Sequence, residues 1–330
     1  MDTAIKIWLI VGAVLVVLGL IVFALVMTLN HWDFNKLSTV KYVTNTHSVK
    51  DAFTSIDINT DTANIVLVPS NANGCEVVCH EPENMPHSVT VEDGCLTVRV
   101  QDERRWYDYI GIYNGAPKIT VSLPQRVYQS LTVKTDTGKT NIPGDFTFET
   151  VDISGSTGNV DCLASAQERL KIQVSTGKIW VENLSAGDMD LRVSTGGITA
   201  SKIDCAGILS IQTSTGRATL TDVSCGALTS TGSTGNITLE NVTASNDFSI
   251  VRSTGRVEFI KCDASQLSIK TDTGNVTGSL LSEKVFITQT STGRIDVPKT
   301  ITGGRCDHHQ YRQHQNRNRR IKKSGALPCP

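Results

Sequence analysis

A Thr-Gly step, preceded by Ser in most copies, recurs along the second half of the chain at Gly138, Gly158, Gly177, Gly196, Gly216, Gly235, Gly255, Gly274 and Gly293. The intervals are 20, 19, 19, 20, 19, 20, 19 and 19 residues. A near-constant period of this length means one supersecondary unit per copy. Each unit is too small to bury its own apolar face and must be stabilised by stacking on its neighbours.

The residues around each glycine give the unit its shape. Seven before it stand Val151, Leu170, Met189, Leu209, Leu228, Phe248, Leu267 and Phe286; five before stand Ile153, Ile172, Leu191, Ile211, Ser230, Ile250, Ile269 and Thr288. Two after it come Val160, Ile179, Ile198, Ala218, Ile237, Val257, Val276 and Ile295. Four after come Cys162, Val181, Ala200, Leu220, Leu239, Phe259, Gly278 and Val297. A spacing of two is the strand period, with Asp152, Lys171, Asp190 and Gln212 between inward positions and facing water. The expected unit is strand, Ser-Thr-Gly corner, strand, and a second corner near Leu184, Ile203, Val223 and Val242. Glycine suits a corner because it reaches positive φ without Cβ strain. The fold class is therefore an all-β β-solenoid, like a parallel β-helix, with coils of about 19 to 20 residues.

The start of the chain sets its compartment. Residues 7–29 carry no charge and are long enough to span a bilayer as a helix, with Trp8 and Trp32 at the two ends where interfacial indoles belong. A cleaved signal peptide is the alternative, but it has a shorter apolar core and a small-residue cleavage site, which Leu29, Asn30, His31 and Trp32 do not supply. Basic residues flank both ends and hardly discriminate orientation. The Thr/Ser/Asn-rich solenoid favours a single-pass protein of the cell membrane with residues 1–6 cytoplasmic and the C-terminal domain extracytoplasmic.

In the 330 residues, 39% are hydrophobic, only 5% aromatic, and the net charge is -1. Few rings suit a coil that layers small aliphatics, and near-neutrality removes any global attraction to nucleic acid. The nine cysteines are odd in number and irregularly spaced. Cys205 and Cys225 each lie nine after a glycine, so stacking brings them within disulfide reach, although side chains stacked in parallel seldom have the required dihedral. Cys75, Cys79 and Cys95 could include one pair. The spacing of Cys75 and Cys79 has no matching second pair or His set, so no metal site is expected.

Residues 30–52 are polar and read as a stalk. Strand alternation starts near Phe53, and Ala63 takes the glycine's place in a degenerate first corner. Asp93-Gly94 between two alternating runs signals a hairpin. A loop at 102–118 then gathers Trp106, Tyr107, Tyr109 and Tyr113. It reads either as an aromatic contact surface for a glycan or partner, or as a cover for the open end of the first coils. The solenoid is expected over 53–304, irregular over 53–134 and regular over 135–304.

The apolar span, the opening strand at 53–58, the Asp-Gly hairpin at 93–98, the Lys-Ile-Thr-Val-Ser-Leu-Pro stretch at 118–124 and the Thr-Gly corners together resemble the bacterial DUF4097 "putative adhesin" β-strand repeat family. The resemblance covers roughly 53–301. It implies an extracytoplasmic adhesion or envelope-associated role, and some similar anchored proteins accompany cell-envelope stress systems. It supplies no catalytic residues.

The residues themselves point away from catalysis. Acids at Asp161, Glu182, Asp204, Asp222, Glu240, Glu258 and Asp296 fall at differing offsets from their glycines, so they do not converge as a carboxylate pair. No P-loop, nucleophile elbow, zinc pair or calcium nonapeptide occurs. Neither a cofactor nor an enzymatic activity is expected. One column does suggest a surface: Asn159, Lys178, Gly197, Arg217, Asn236, Arg256, Asn275 and Arg294 each follow a corner glycine. The bases Lys178, Arg217, Arg256 and Arg294 form a stripe suited to an anionic polymer of the cell wall. Turn chemistry and avoidance of like charges on adjacent rungs would produce the same alternation.

After Thr302 the period breaks into a basic run, His308 to Arg320, with no corner near residue 312. The genetic code permits these codons, read one base later, to encode Ile-Thr-Ser-Thr-Gly-Asn-Ile-Lys-Ile-Glu-Ile-Glu, with the glycine where the period demands it. Residues 305–330 therefore read as a frame-shifted, disordered ending. The functional expectation is a membrane-anchored, extracytoplasmic adhesin or cell-envelope scaffold that binds a wall polymer, surface glycan or envelope membrane protein. An accessory sensor in envelope-stress signalling is the alternative.

Overall fold

The computed structural model describes residues 3–29, 31–33, 40–72, 74–106, 115–282 and 286–297. The helix α1 spans Thr3–Leu29. Within its segment Ile5–Leu29 an 18-residue stretch has a mean hydropathy of 3.3 and is not buried by protein, and Met27 near the C-terminal end is buried. Leu9, Val14, Leu18 and Phe23 lie exposed on all sides. At 1.5 Å per residue it is about 37 Å long, enough to cross the hydrocarbon core of a bilayer. An all-round apolar surface with no covering protein belongs in lipid, and α1 is the membrane-spanning segment.

The β-structure forms two units. The first holds residues up to Phe148 together with Ile153–Ser156; the second holds Glu149–Asp152 and the chain from Thr157 onward. In the first unit, β1 (Tyr42–Val49) precedes an opening coil made of β2 (Ser55–Thr62) and β3 (Asn64–Ser70). An excursion follows through β4 (Cys75–Pro82), β5 (His87–Glu92), β6 (Cys95–Val100) and β7 (Lys118–Pro124). The chain returns in β8 (Val127–Thr137) and β9 (Thr140–Ile142). Strand β2 pairs in parallel with both β6 and β8, and β3 with both β7 and β9. The coil at Gly138 thus stacks directly on the coil at Ala63, across the long intervening sequence.

Ala63 does occupy a degenerate corner. It is buried, its N–H donates to Thr137 O, and a Cβ on Gly138 would stand 2.0 Å from its carbonyl oxygen. The Asp-Gly hairpin forms as expected between β5 and β6, with Asp93 and Gly94 both at positive φ (49° and 73°). The stalk expectation needs correction at 42–49, where β1 pairs antiparallel with β4. Its inward positions include Asn45 and His47, whose polarity hid the alternation.

In the second unit β10 (Thr147–Thr157) contributes its middle residues. The ladder then runs through β11 (Val160–Cys162), β12 (Ser165–Thr234), β13 (Ile237–Thr254), β14 (Val257–Thr273), β15 (Val276–Leu280), β16 (Ile287–Thr292) and β17 (Ile295–Asp296). Successive coils pair in parallel: Ala218 aligns with Ile237, Ile237 with Val257, Val257 with Val276 and Val276 with Ile295. The four inward columns read from the sequence are buried up to Val276, with side chains such as Leu170, Ile172, Ile179 and Val181 fully enclosed. Burying each such side chain contributes about 2 kcal/mol.

The coil has more sides than the sequence suggested. The second corner turns at Asn183, Lys202, Asp222, Asn241 and Lys261, all with φ between 52° and 54°. Beyond it a third, short face buries Leu184 and Ala186, Ile203 and Cys205, Val223 and Cys225, Val242 and Ala244, and Cys262 and Ala264. A further inward column lies three before each glycine: Val174, Val193, Thr213, Arg252 and Thr271 are buried there. Residues 305–330, with the proposed frame-shifted ending, lie outside the described residues.

Candidate functional site

The Ser-Thr-Gly corner is built by close approach. In the second unit the corner glycines carry φ of 133° to 155°. A Cβ on Gly216 would stand 1.5 Å from the carbonyl oxygen of Gly196, and one on Gly196 1.7 Å from that of Gly177. Glycine is therefore imposed by the backbone of the coil below as well as by φ. Because the residues two after each glycine are in register, those one after it stand in a single column.

Within that column the asparagines serve the backbone. Asn159 Oδ1 accepts from Lys178 N at 3.0 Å, Asn236 Oδ1 from Arg256 N at 2.9 Å, and Asn275 Oδ1 from Arg294 N at 2.9 Å. The same device recurs in the first unit, where Asn64 Oδ1 accepts from Lys139 N at 2.9 Å. Turn chemistry accounts for the asparagines but leaves the identity of the intervening side chain free. Lys178, Arg217, Arg256 and Arg294 are all exposed. Arg294 makes a loose contact with Asp296 at 3.5 Å. Each base is two coils from the next, about 9.6 Å along the stack. The flanking columns hold exposed Ser214, Thr215, Ser233, Thr234, Ser253 and Thr254, interrupted by Asp272. Such an edge can offer cations and hydroxyl donors to an extended chain of carboxylates or phosphates.

The aromatic loop is described only in part. Trp106 is 77% exposed, and Tyr107, Tyr109 and Tyr113 lie outside the described residues. Other rings are buried: Phe53, Tyr128 and Phe148 follow one another at centroid distances of 6.1 and 5.8 Å, with Arg126 over Phe53 and Tyr128.

Cys205 and Cys225 are both free and buried in the third face, as are Cys75 and Cys79 within the first unit. No pair forms among the described cysteines. Cys205 Sγ instead approaches Gly187 O at 3.4 Å and Cys225 Sγ approaches Thr243 O at 3.5 Å.

A second cluster escaped the sequence reading. Cys79 and Glu81 share the inward face of β4, and the following turn returns His87 at the start of β5 onto them. All three are buried, and their donor atoms lie within 4.8 Å of one another. His87 Nδ1 meets Glu81 Oε2 at 2.5 Å, the His87 backbone N–H donates to the same oxygen at 2.9 Å, and Asn45 Nδ2 donates to Oε1 at 2.7 Å. His87 Nε2 meets Thr60 Oγ1 at 2.8 Å. Burial and the Glu81 charge push the Cys79 thiol up to about 12. The signal in the sequence is Cys79-x-Glu81 on one strand face, whereas the spacing of Cys75 and Cys79 carries no such pattern.

Residues 53–208 match the Toastrack DUF4097 family model. The DUF4097 match takes in the opening coil, the excursion and the first regular coils, just under half of the chain. No curated protein matches the sequence. Among solved structures, a "putative adhesin" from Bacteroides fragilis is similar at 18% identity, covering 78% of this chain and 97% of its own, with a TM-score of 0.42. A "putative lipid binding protein" from Parabacteroides distasonis matches at 13% identity, 78% and 97% coverage and a TM-score of 0.45. A "putative adhesin" from the same organism matches at 14% identity, 79% and 98% coverage and a TM-score of 0.37.

Proposed function

We propose that this DUF4097-type chain is a membrane-anchored, extracytoplasmic adhesin-like scaffold whose glycine-corner edge holds an extended anionic polymer of the cell envelope. The β-solenoid is a structural and binding module with no role as a catalyst. The observation that carries the reading is the spacing of Lys178, Arg217, Arg256 and Arg294 in one exposed column, a base on every second coil. Two coil steps, about 9.6 Å, are close to the length of one extended disaccharide, so a glycan with one acid per disaccharide would meet a cation at each repeat. The separation is also near the screening length at physiological salt, so the four bases act nearly independently and their contributions add.

The test uses the full chain in detergent and isolated cell wall. Replacing Arg217, Arg256 and Arg294 together by Gln should lower wall retention at least tenfold at physiological salt. Wild-type retention should fall steeply with added salt. Unchanged retention of the triple variant would reject the stripe as the binding surface.

A further inference from the structure

We propose that Cys79, Glu81 and His87 form a site for a divalent zinc-like cation inside the first β-unit. The three donors are a thiol, a carboxylate and an imidazole, the sulfur, oxygen and nitrogen set that suits Zn²⁺. Their atoms lie within 4.8 Å of one another. Donor atoms around a tetrahedral zinc stand about 3.3–3.8 Å apart, so closing the site requires shifts of about an ångström. Buried positions on β4, β6 and β7 such as Val77, Val98 and Val121 are apolar.

Electrostatics supports occupancy. Glu81 is fully buried, and among the described residues no lysine or arginine pairs with its carboxylate, which meets His87 Nδ1 instead. A divalent cation bound by a thiolate and a carboxylate is a neutral unit, the form least penalised in a low-dielectric interior. Binding would replace the Cys79 thiol proton and the proton held between His87 and Glu81, releasing up to two protons for each ion bound.

The surroundings orient two of the donors. Thr60 Oγ1 engages His87 Nε2, leaving Nδ1 toward Glu81, and Asn45 holds Glu81 Oε1. Outer partners of this kind fix ring tautomer and carboxylate rotation in protein metal centres. His47 Nε2 is buried without a hydrogen-bond partner, and His47 lies two residues along β1 from Asn45, which itself pairs with Cys79. The fourth coordination position falls to water.

The experiment equilibrates the detergent-solubilised full chain with zinc, removes loosely held metal and measures zinc per chain. Cys79→Ser and His87→Gln should each retain one zinc fewer than wild type, while Cys205→Ser matches wild type; this difference also discounts metal held elsewhere by other histidines. Asn45→Ala, which removes no ligand, should weaken zinc affinity 10- to 100-fold. Cobalt loading of wild type should produce a thiolate-to-cobalt charge-transfer band that Cys79→Ser lacks. Equal zinc content in wild type and the Cys79 and His87 variants overturns the proposal. So does a wild-type cobalt spectrum without the thiolate band, whatever the folding of the variants.

Discussion

Arg252 Nη1 donates to Thr213 Oγ1 at 2.6 Å from inside the core of the repeat array, reaching past the coil between them. Nη2 donates to Ser230 Oγ at 2.8 Å. The path is open because Gly232 occupies the same inward column in the intermediate coil, where a Cβ would stand 1.7 Å from Nη1. Burial pulls the Arg252 pKa down to about 10, so it stays charged at neutral pH among hydroxyls. Removing a buried charge in favour of an apolar side chain of similar volume is often neutral or stabilising. Arg252→Met is therefore expected to change stability by less than about 1 kcal/mol or raise it, whereas Arg252→Ala, which leaves a cavity and orphaned hydroxyls, should cost about 3 kcal/mol. Gly232→Ala should be severely destabilising alone and much less so beside Arg252→Ala, where only the 2.9 Å approach to the Thr213 carbonyl oxygen remains. Urea unfolding of the four members of that cycle measures the coupling.

The two sharp corners of the coil respond to glycine in opposite ways. At the first, Gly216→Ala forces a Cβ into the Gly196 carbonyl and should cost about 3 kcal/mol or more. At the second, Lys202 and Lys261 hold left-handed φ values of 53° and 52° with a Cβ in place. Lys261→Gly should raise stability by about 1 kcal/mol. Thermal unfolding that moved the same way for both variants would contradict this assignment of the corners.

Cys162 makes stability depend on alkaline pH. Its thiol is fully buried, and burial lifts its pKa from 9.0 to about 12. The unfolded chain ionises first, so its contribution is complete below pH 9 and is lost as pH climbs from 9 toward 12. The slope is about 1.4 kcal/mol per pH unit for this one group. Other buried thiols such as Cys75, Cys79 and Cys225 are raised in the same way, so urea midpoints at pH 8 and pH 10 should differ by more than this one group supplies, and Cys162→Ala should reduce the difference by about 1.4 kcal/mol even while it lowers stability at both.

Asn236 and Arg256 stand next to each other in the corner column but do different work. Asn236→Ala removes the acceptor for the Arg256 backbone N–H and should cost about 1 kcal/mol. Arg256→Gln keeps that donor and should leave the unfolding midpoint within about 0.5 kcal/mol of wild type while weakening wall retention. Equal stability losses would assign the arginine a structural role.

Most of the solenoid was legible because one glycine marked each coil. Columns such as Leu170, Met189 and Leu209 follow from counting backward, since a residue's face depends only on its distance from the corner. The column three before each glycine was missed because Thr213, Gly232 and Arg252 break its apolar pattern. Strand β1 was missed because Asn45 and His47 occupy inward positions. In both cases polar side chains face the interior, and their partners lie in other coils or strands.

The sequence by itself determined the period, the apolar span of α1, the corner glycines and the alternation of Asn with Lys178, Arg217, Arg256 and Arg294, because each depends on local spacing. Only the tertiary structure decided that the coil at Ala63 stacks on the coil at Gly138, that Arg252 spans to Thr213, and that His87 returns to Cys79 and Glu81. The first and the last join segments whose separation in sequence carries no period, and the Arg252–Thr213 contact, although two coils apart in one column, depends on the space that Gly232 leaves between them. They are set by which surfaces the excursion through β4–β7 can bury, and by which hydroxyl, carboxylate or imidazole is left to satisfy a buried polar group.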